Sequence, residues 1–252
     1  RMFLRIVSNA RAKSELRTSL AVARQKLEAQ LAFEEQLIGM VSHDLRTPLS
    51  SLLLATQSLE DELESDDAKH LLGVINRSSA RIRSMVTQLL DLTRVRRSAT
   101  FPVDRKKTRI GPVLQHIVDE LLSTHDDKVV ELELVGEVSA YVDGSAVGQI
   151  ASNLIKNALR YGDGSPVRVR LTREDEHVVL DVQNGGEPIA PGVLEGLFRP
   201  YARASEGGSG LGLGLFIVRA IVDAHGGTLT ASSDETATLF RVVLPRGAAS
   251  PS

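Results

Sequence analysis

Three groups of residues in this sequence have types and spacings that can do chemistry. His43 lies in the run His43-Asp44-Leu45-Arg46-Thr47-Pro48-Leu49, with a carboxylate directly after it and a hydroxyl one helical turn on. The apolar seam around it runs Ile38, Val41, Leu45, and at about 100° per residue His43 points roughly 200° away from Val41, into solvent. An imidazole with a pKa of about 6.5 is nucleophilic when neutral, so an exposed His43 can accept a phosphoryl group while Asp44 orients and deprotonates the ring. Asn153 and Asn157 are one turn apart on a second helical pattern and share a face, so their amide oxygens can converge on a hard cation whose shell phosphate oxygens complete. Arg160 and Tyr161 follow on the same pattern, offering a cation for phosphate and an aromatic plane for a base. Gly207-Gly208-Ser209-Gly210-Leu211-Gly212-Leu213-Gly214-Leu215 precedes another helical pattern, where glycine permits close backbone approach and a helix N-terminus receives phosphate. Asn184-Gly185-Gly186-Glu187-Pro188-Ile189 follows a strand pattern. Each group has a bland reading of its own: a surface histidine, incidental asparagines, a flexible loop, a turn. Their order along one chain points to a nucleotide site and an acceptor for its phosphate.

The elements that must position these residues fall into two domains. Leu16, Leu20, Ala23, Leu27, Leu31, Glu34, Ile38, Val41 and Leu45 step by fours and threes, and the repeated step of four at Leu27 to Leu31 is a stutter in a coiled coil. A second helix follows the acidic turn Glu64-Ser65-Asp66-Asp67, with the seam Leu72, Ile75, Ser79, Ile82, Val86, Leu89, Thr93. The pair is an αα-hairpin. One hairpin leaves an apolar stripe uncovered, so two copies are expected to close a four-helix bundle, the alternative being a bundle with the rest of the chain. Pro48 is expected to bend the first helix beside His43. The heptads stop at the basic stretch 94–102. Beyond it the patterns read as a helix over 110–123, strands over 129–134 and 140–142, and a helix over 145–161 capped by Asp143. A hairpin over 167–171 and 177–182, a helix over 213–224 and strands over 228–230 and 239–243 complete a two-layer α+β sandwich.

Length and composition set limits on function. A chain of 252 residues suits two domains. Its net charge of −2 gives no general attraction to nucleic acid or to acidic membranes. The absence of cysteine removes disulfides, thiol catalysis and thiolate metal sites, and fits a cytoplasmic location. No run of about 18 apolar residues is present for membrane spanning. Because the helical pattern is already under way at Arg1, a sensor domain is expected upstream.

The ordered motifs resemble those of the sensor histidine kinases of two-component signalling, over about residues 30 to 245. His43 to Leu49 is similar to the phosphoacceptor box, Asn153 to Tyr161 to the N box, and Val182 to Ile189 to the first glycine box. Leu197-Phe198-Arg199-Pro200-Tyr201 is similar to the F box and Gly210 to Leu215 to the second glycine box. The resemblance implies a coiled-coil signalling helix (1–32), a dimerisation and phosphoacceptor domain (33–97), a linker (98–103), an ATP-binding domain of the fold shared with gyrase-type and Hsp90-type ATPases (104–247), and a disordered tail (248–252). It implies ATP and Mg²⁺, with Asn157 as metal ligand, Asn153 beside it, Tyr161 next to adenine and Arg160 on phosphate. Gly207 to Gly212, with Arg203 just upstream, would form the lid over the triphosphate, Gly210, Leu211, Gly212, Leu213 and Gly214 would contact the nucleotide, and Asn184 and Gly186 would belong to the base pocket. Partners would be a second copy and a response regulator receiver domain, which the protein would phosphorylate on aspartate and also dephosphorylate, with Asp44 serving autophosphorylation and Thr47 the dephosphorylation. Asn184 stands where the family usually has aspartate, and Pro188 where it has glycine; an amide oxygen accepts the adenine amino group without a full charge. A nucleotide-binding scaffold without catalysis, and a gyrase-like ATPase, are the competing classes; the latter needs a carboxylate where Asn153 stands.

Overall fold

A computed structural model describes residues 24–25, 45, 48–56, 66–98, 100–123, 129–202 and 211–247. His43, Asp44, Thr47, Arg203, Gly210, the stutter from Leu27 to Leu31, the turn preceding Pro48 and the tail 248–252 lie outside the described residues. The chain divides into two compact units, residues 1–82 and 83–252.

In the first unit residues 48–56 are helical, with Pro48 and Ala55 buried and Leu49, Leu53 and Leu54 exposed. Thr56 tolerates this helix by donating its hydroxyl to the carbonyls of Leu52 and Leu53, at 3.0 and 2.9 Å. The helix α1 (Asp66–Ser98) begins in this unit and ends in the second. Among its buried residues Ser78, Met85 and Leu92 recur every seventh position, and Asp91 is buried beside Leu92. They lie one position before Ser79, Val86 and Thr93 of the seam read from sequence, of which Leu72 and Val86 are exposed, as is Leu90. A bundle helix carries two adjacent apolar stripes, and the period alone does not say which one the chain covers by itself.

The second unit is built on a five-stranded sheet in the order β2-β4-β5-β7-β6: β2 (Val130–Leu134), β4 (Val167–Glu174), β5 (His177–Asn184), β6 (Thr228–Ser233) and β7 (Thr238–Pro245). Only β2 and β4 run parallel; the other pairs are antiparallel, including the expected β4–β5 hairpin. Val167, Val169 and Leu171, Val178, Leu180 and Val182, and Phe240, Val242 and Leu244 are buried at alternate positions. This period of two brings one sheet face against the apolar stripes of α2 (Ile110–Leu122), α3 (Gly144–Tyr161) and α5 (Gly214–Ala224), which contribute Leu114 and Val118, Ile150 and Leu154, and Ile217 and Ile221. Each such side chain stabilises the layer by about 1.5–3 kcal/mol.

The opposite sheet face is polar along its middle, although Val179 near one end is buried. Its central register line reads Glu133, Arg170, Asp181, Arg241, Thr230 across all five strands. Adjacent members pair as ions at 3.3 Å between Arg170 and Glu133 and 2.7 Å between Arg241 and Asp181.

A two-stranded sheet joins β1 (Lys106–Arg109) to β3 (Ser139–Val142). Lys-Lys-Thr-Arg shows no alternation of apolar residues, so β1 is invisible to pattern and is held by its backbone ladder and by the Thr108 hydroxyl donating to the Val142 carbonyl at 3.0 Å. The short helix α4 (Pro191–Leu194) was likewise below the length at which periodicity speaks. Asp143 caps α3 as its sequence predicts, accepting from the amides of Ser145 and Ala146 at 2.9 and 3.1 Å.

Candidate functional site

The helix α3 carries most of the candidate residues. Its buried stripe from Ala146 to Ala158 holds it on the sheet, which leaves Asn153 and Asn157 half-buried on its flank, one turn apart. The first turn of α5 lies beside them: a Cβ added at Gly214 would stand 3.5 Å from Asn153 Oδ1. Leu211 and Leu213 are buried, so their side chains anchor the segment in the core and only its backbone can face a ligand. Between them Gly212 has φ +66°, and a Cβ there would come within 2.9 Å of the Ala202 carbonyl oxygen. Glycine is required at that position by conformation and by space alike. The amides opening α5 thus meet the asparagine flank of α3, an arrangement suited to phosphate on one side and a cation on the other.

At the other end of α3 the loop after β5 closes in. Gly186 has φ +136°, and a Cβ there would lie 2.7 Å from the Tyr161 carbonyl oxygen, so glycine lets this loop pack on the helix terminus. Tyr161 is 44% exposed, with the Arg160 guanidinium 5.1 Å from its ring centroid, a cation–π contact at the mouth of the site. Asn184 is buried, and its Nδ2 donates to the Gly185 carbonyl at 2.7 Å. That bond commits the amide's donor side and directs Oδ1 as the acceptor. In register with Asn184 stands the buried Thr238, its hydroxyl 2.7 Å from that of Ser233, which also accepts the Ile189 amide at 2.9 Å. Sequence reading missed Thr238 and Ser233, because only strand register brings them to Asn184. Near the rim, hydrogen bonds from the Ser165 hydroxyl and amide hold the Asp163 carboxyl below its ordinary value.

Among the described residues there is no group of three or more His, Cys, Asp or Glu able to hold a metal ion. A divalent cation at Asn157 would therefore need phosphate oxygens to complete its shell, which is how Mg²⁺ binds with nucleotides. A further junction holds the frame. His225 is buried, donates from Nδ1 to the Ile221 carbonyl at 2.8 Å and accepts the Asp143 amide on Nε2 at 3.1 Å, while Arg105 donates to the Ala224 carbonyl. The end of α5, the start of α3 and the irregular segment leading into β1 are tied together there. Nothing in the local pattern around His225 marks this role.

Known proteins share this arrangement. Residues 33–98 match the His Kinase A (phospho-acceptor) domain, and residues 142–248 match the Histidine kinase-, DNA gyrase B-, and HSP90-like ATPase family. A bacteriophytochrome of Pseudomonas aeruginosa is 33% identical over 218 residues, covering 84% of this chain and 29% of its own length. The sensor protein KdpD of Escherichia coli is 32% identical over 260 residues, covering 97% of this chain and 28% of its own. The chain therefore spans less than a third of the length of these relatives. Among solved structures, the Acinetobacter baumannii histidine kinase AdeS superposes with a TM-score of 0.63 at 23% identity, over 81% of this chain and 98% of that one, a likeness of fold. Two domains in this order define a protein histidine kinase. The chain belongs to the two-component sensor histidine kinases and is the catalytic core of one. No helix among the described residues is long and apolar enough to cross a membrane.

Proposed function

We propose that this core binds ATP with Mg²⁺, phosphorylates its own His43 and passes the phosphoryl group to an aspartate of a response regulator receiver domain. The observation that carries the reading is the convergence of the Asn153–Asn157 flank, the glycine-pinned start of α5 and the Asn184 pocket on one helix. Asn184 Oδ1 would accept from the adenine amino group beside Tyr161, Asn157 would hold the cation, and the amides opening α5 would take the phosphates. Mg²⁺ supplies the charge screening that lets a nucleophile approach the γ-phosphate. A nitrogen of His43 forms the new N–P bond as the bond from the γ-phosphorus to the bridging oxygen breaks and ADP leaves, and Asp44 takes the remaining ring proton. We assign Thr47 to the reverse traffic, holding a water against the phosphoaspartate of the receiver. The exposed leucines of residues 48–56 and the open stripe of α1 are the surfaces through which two copies would form a bundle, with the sensor upstream and the whole core in the cytoplasm.

Label from γ-labelled ATP should be retained on the wild-type protein in base and lost in acid. Asn157→Ala should lower labelling at least 100-fold, the order expected when a preorganised electrostatic group is removed from the transfer site, and His43→Gln should abolish it. An Asn157→Ala protein that kept most of its Mg²⁺-dependent labelling would remove the asparagine from this role.

A further inference from the structure

At one end of the five-stranded sheet the apolar face turns polar. On the side that packs against the helices, the register lines across β5, β7 and β6 read Leu180, Val242, Leu229, then Val182, Phe240, Ala231, then Asn184, Thr238, Ser233. Asn184 and Thr238 are each 5% exposed, and polar groups are kept out of water only where hydrogen bonds satisfy them. Directly opposed residues stand about 4.5–5.5 Å apart at Cβ, so Asn184 and Thr238 can meet neighbouring atoms of one ligand edge. The Ile189 amide, which as a backbone N–H only donates, gives its proton to Ser233 Oγ at 2.9 Å. Ser233 Oγ stands 2.7 Å from Thr238 Oγ1 and is the hydrogen-bond partner of that hydroxyl among the described residues. A hydroxyl that accepts a hydrogen bond becomes a stronger donor, so the chain runs one way, from the Ile189 N–H to Ser233 and from the Ser233 O–H to Thr238. Thr238 then turns its own proton to a ligand. Beside it Asn184, whose Nδ2 is held by the Gly185 carbonyl, offers Oδ1 as an acceptor.

We propose that Ser233 is a positioning residue that fixes Thr238 as a hydrogen-bond donor, and that this polarity selects adenine over guanine nucleotides. The proposal rests on the ATP-binding reading above and extends it to a residue that touches no nucleotide. Adenine carries an acceptor, N1, next to a donor, its 6-amino group. Guanine carries the reverse, O6 accepting and N1–H donating, and would set acceptor against acceptor at Asn184 and donor against donor at Thr238. Contact made directly or through one bridging water leaves this polarity unchanged. The choice of base thus originates in a main-chain amide of the loop after β5, passed on by two hydroxyls.

Calorimetry on the full chain with ATP, GTP and 1-deaza-ATP, in which a C–H replaces N1, tests the polarity. The wild type should bind GTP at least about 100-fold, and 1-deaza-ATP about tenfold, more weakly than ATP. In Ser233→Ala the Thr238 hydroxyl is free to turn, so ATP should weaken about tenfold while 1-deaza-ATP changes by less than about twofold, closing the gap between them. Ser233→Thr keeps a hydroxyl and should restore the discrimination. Thr238→Val should erase the gap, and adding Ser233→Ala to it should change nothing further, because both act through one hydroxyl. In phosphorylation assays Ser233→Ala should raise the KM for ATP with kcat unchanged, as for a group remote from the transferred phosphate. Were Ser233 only a staple between the loop and the β6–β7 hairpin, its loss would weaken ATP and 1-deaza-ATP alike, and that outcome overturns the proposal. So does a wild type that binds 1-deaza-ATP as tightly as ATP, or that does not distinguish ATP from GTP. A wild type that binds no nucleotide would instead overturn the ATP reading beneath it.

Discussion

Asn184 shows how a single buried amide sets the terms of a pocket. Its Nδ2 is bonded to the Gly185 carbonyl at 2.7 Å. An aspartate there would set a carboxylate oxygen against that carbonyl oxygen, so added negative charge toward adenine is offset by repulsion behind it. Asn184→Asp should therefore bind ATP no more tightly than wild type, and Asn184→Ala about tenfold more weakly, by titration calorimetry. A tenfold gain in Asn184→Asp would mean that the Gly185 peptide turns to accommodate the carboxylate. Which residues of the site were legible follows the same local logic. Asn153, Asn157 and the glycines announce themselves by short-range spacing. Thr238 waits on strand register, and Ser233 on the amide of Ile189, 44 positions away, so no window of sequence displays them.

Helices α2, α3 and α5 were readable because each keeps one apolar stripe, and the β4–β5 hairpin because its strands alternate. The strand β1 was not, since its Lys-Lys-Thr-Arg shows no apolar alternation and its pairing with β3 rests on the backbone ladder and one threonine hydroxyl. Nor was the tie between α5 and α3 through His225, whose two partners lie on different elements. Burial pushes this imidazole's pKa below 6.5, outweighing the upward pull of the Ile221 carbonyl, while the Arg105 cation lowers it further and the Asp143 carboxylate raises it least. Above pH 6.5 both folded and unfolded chains hold it neutral. As the pH falls below that value the unfolded chain takes up a proton first, so stability declines by up to about 1.4 kcal/mol per pH unit until the folded imidazole titrates. Asp143 works in the same sense but lower: burial raises its pKa, while hydrogen bonds from Asp104, Ser145 and Ala146 outweigh that and hold it below 3.8, so its contribution is lost only in stronger acid. Thermal melts between pH 7.5 and 5.5 should fall for the wild type. His225→Gln should start lower and show a flatter profile, and equal slopes for the two would free His225 from this role.

At the scale of the molecule the chain divides into two compact units, residues 1–82 and 83–252. α1 passes through the boundary, which falls at residues 82–83 and not at the end of the helix. The heptad pattern leads us to expect a second copy, for which Leu72, Val86 and Leu90 of α1 are exposed. Val86→Asp should turn a dimer into a monomer by light scattering while leaving ATP affinity unchanged, because the nucleotide residues lie on other elements. A variant that stayed dimeric would place the interface elsewhere.

The polar sheet face has a bearing on solubility as well as on stability. β2 is an outer strand with one unpaired edge, and Leu134 beyond its centre is exposed, the setting in which copies of a protein stack strand upon strand into fibrils. Glu131 and Glu133 stand at alternate positions of that strand, each already paired with an arginine of β4. A second β2 laid against the first would bring four glutamates together with their arginines occupied. The charged edge therefore disfavours pairing of one β2 with another.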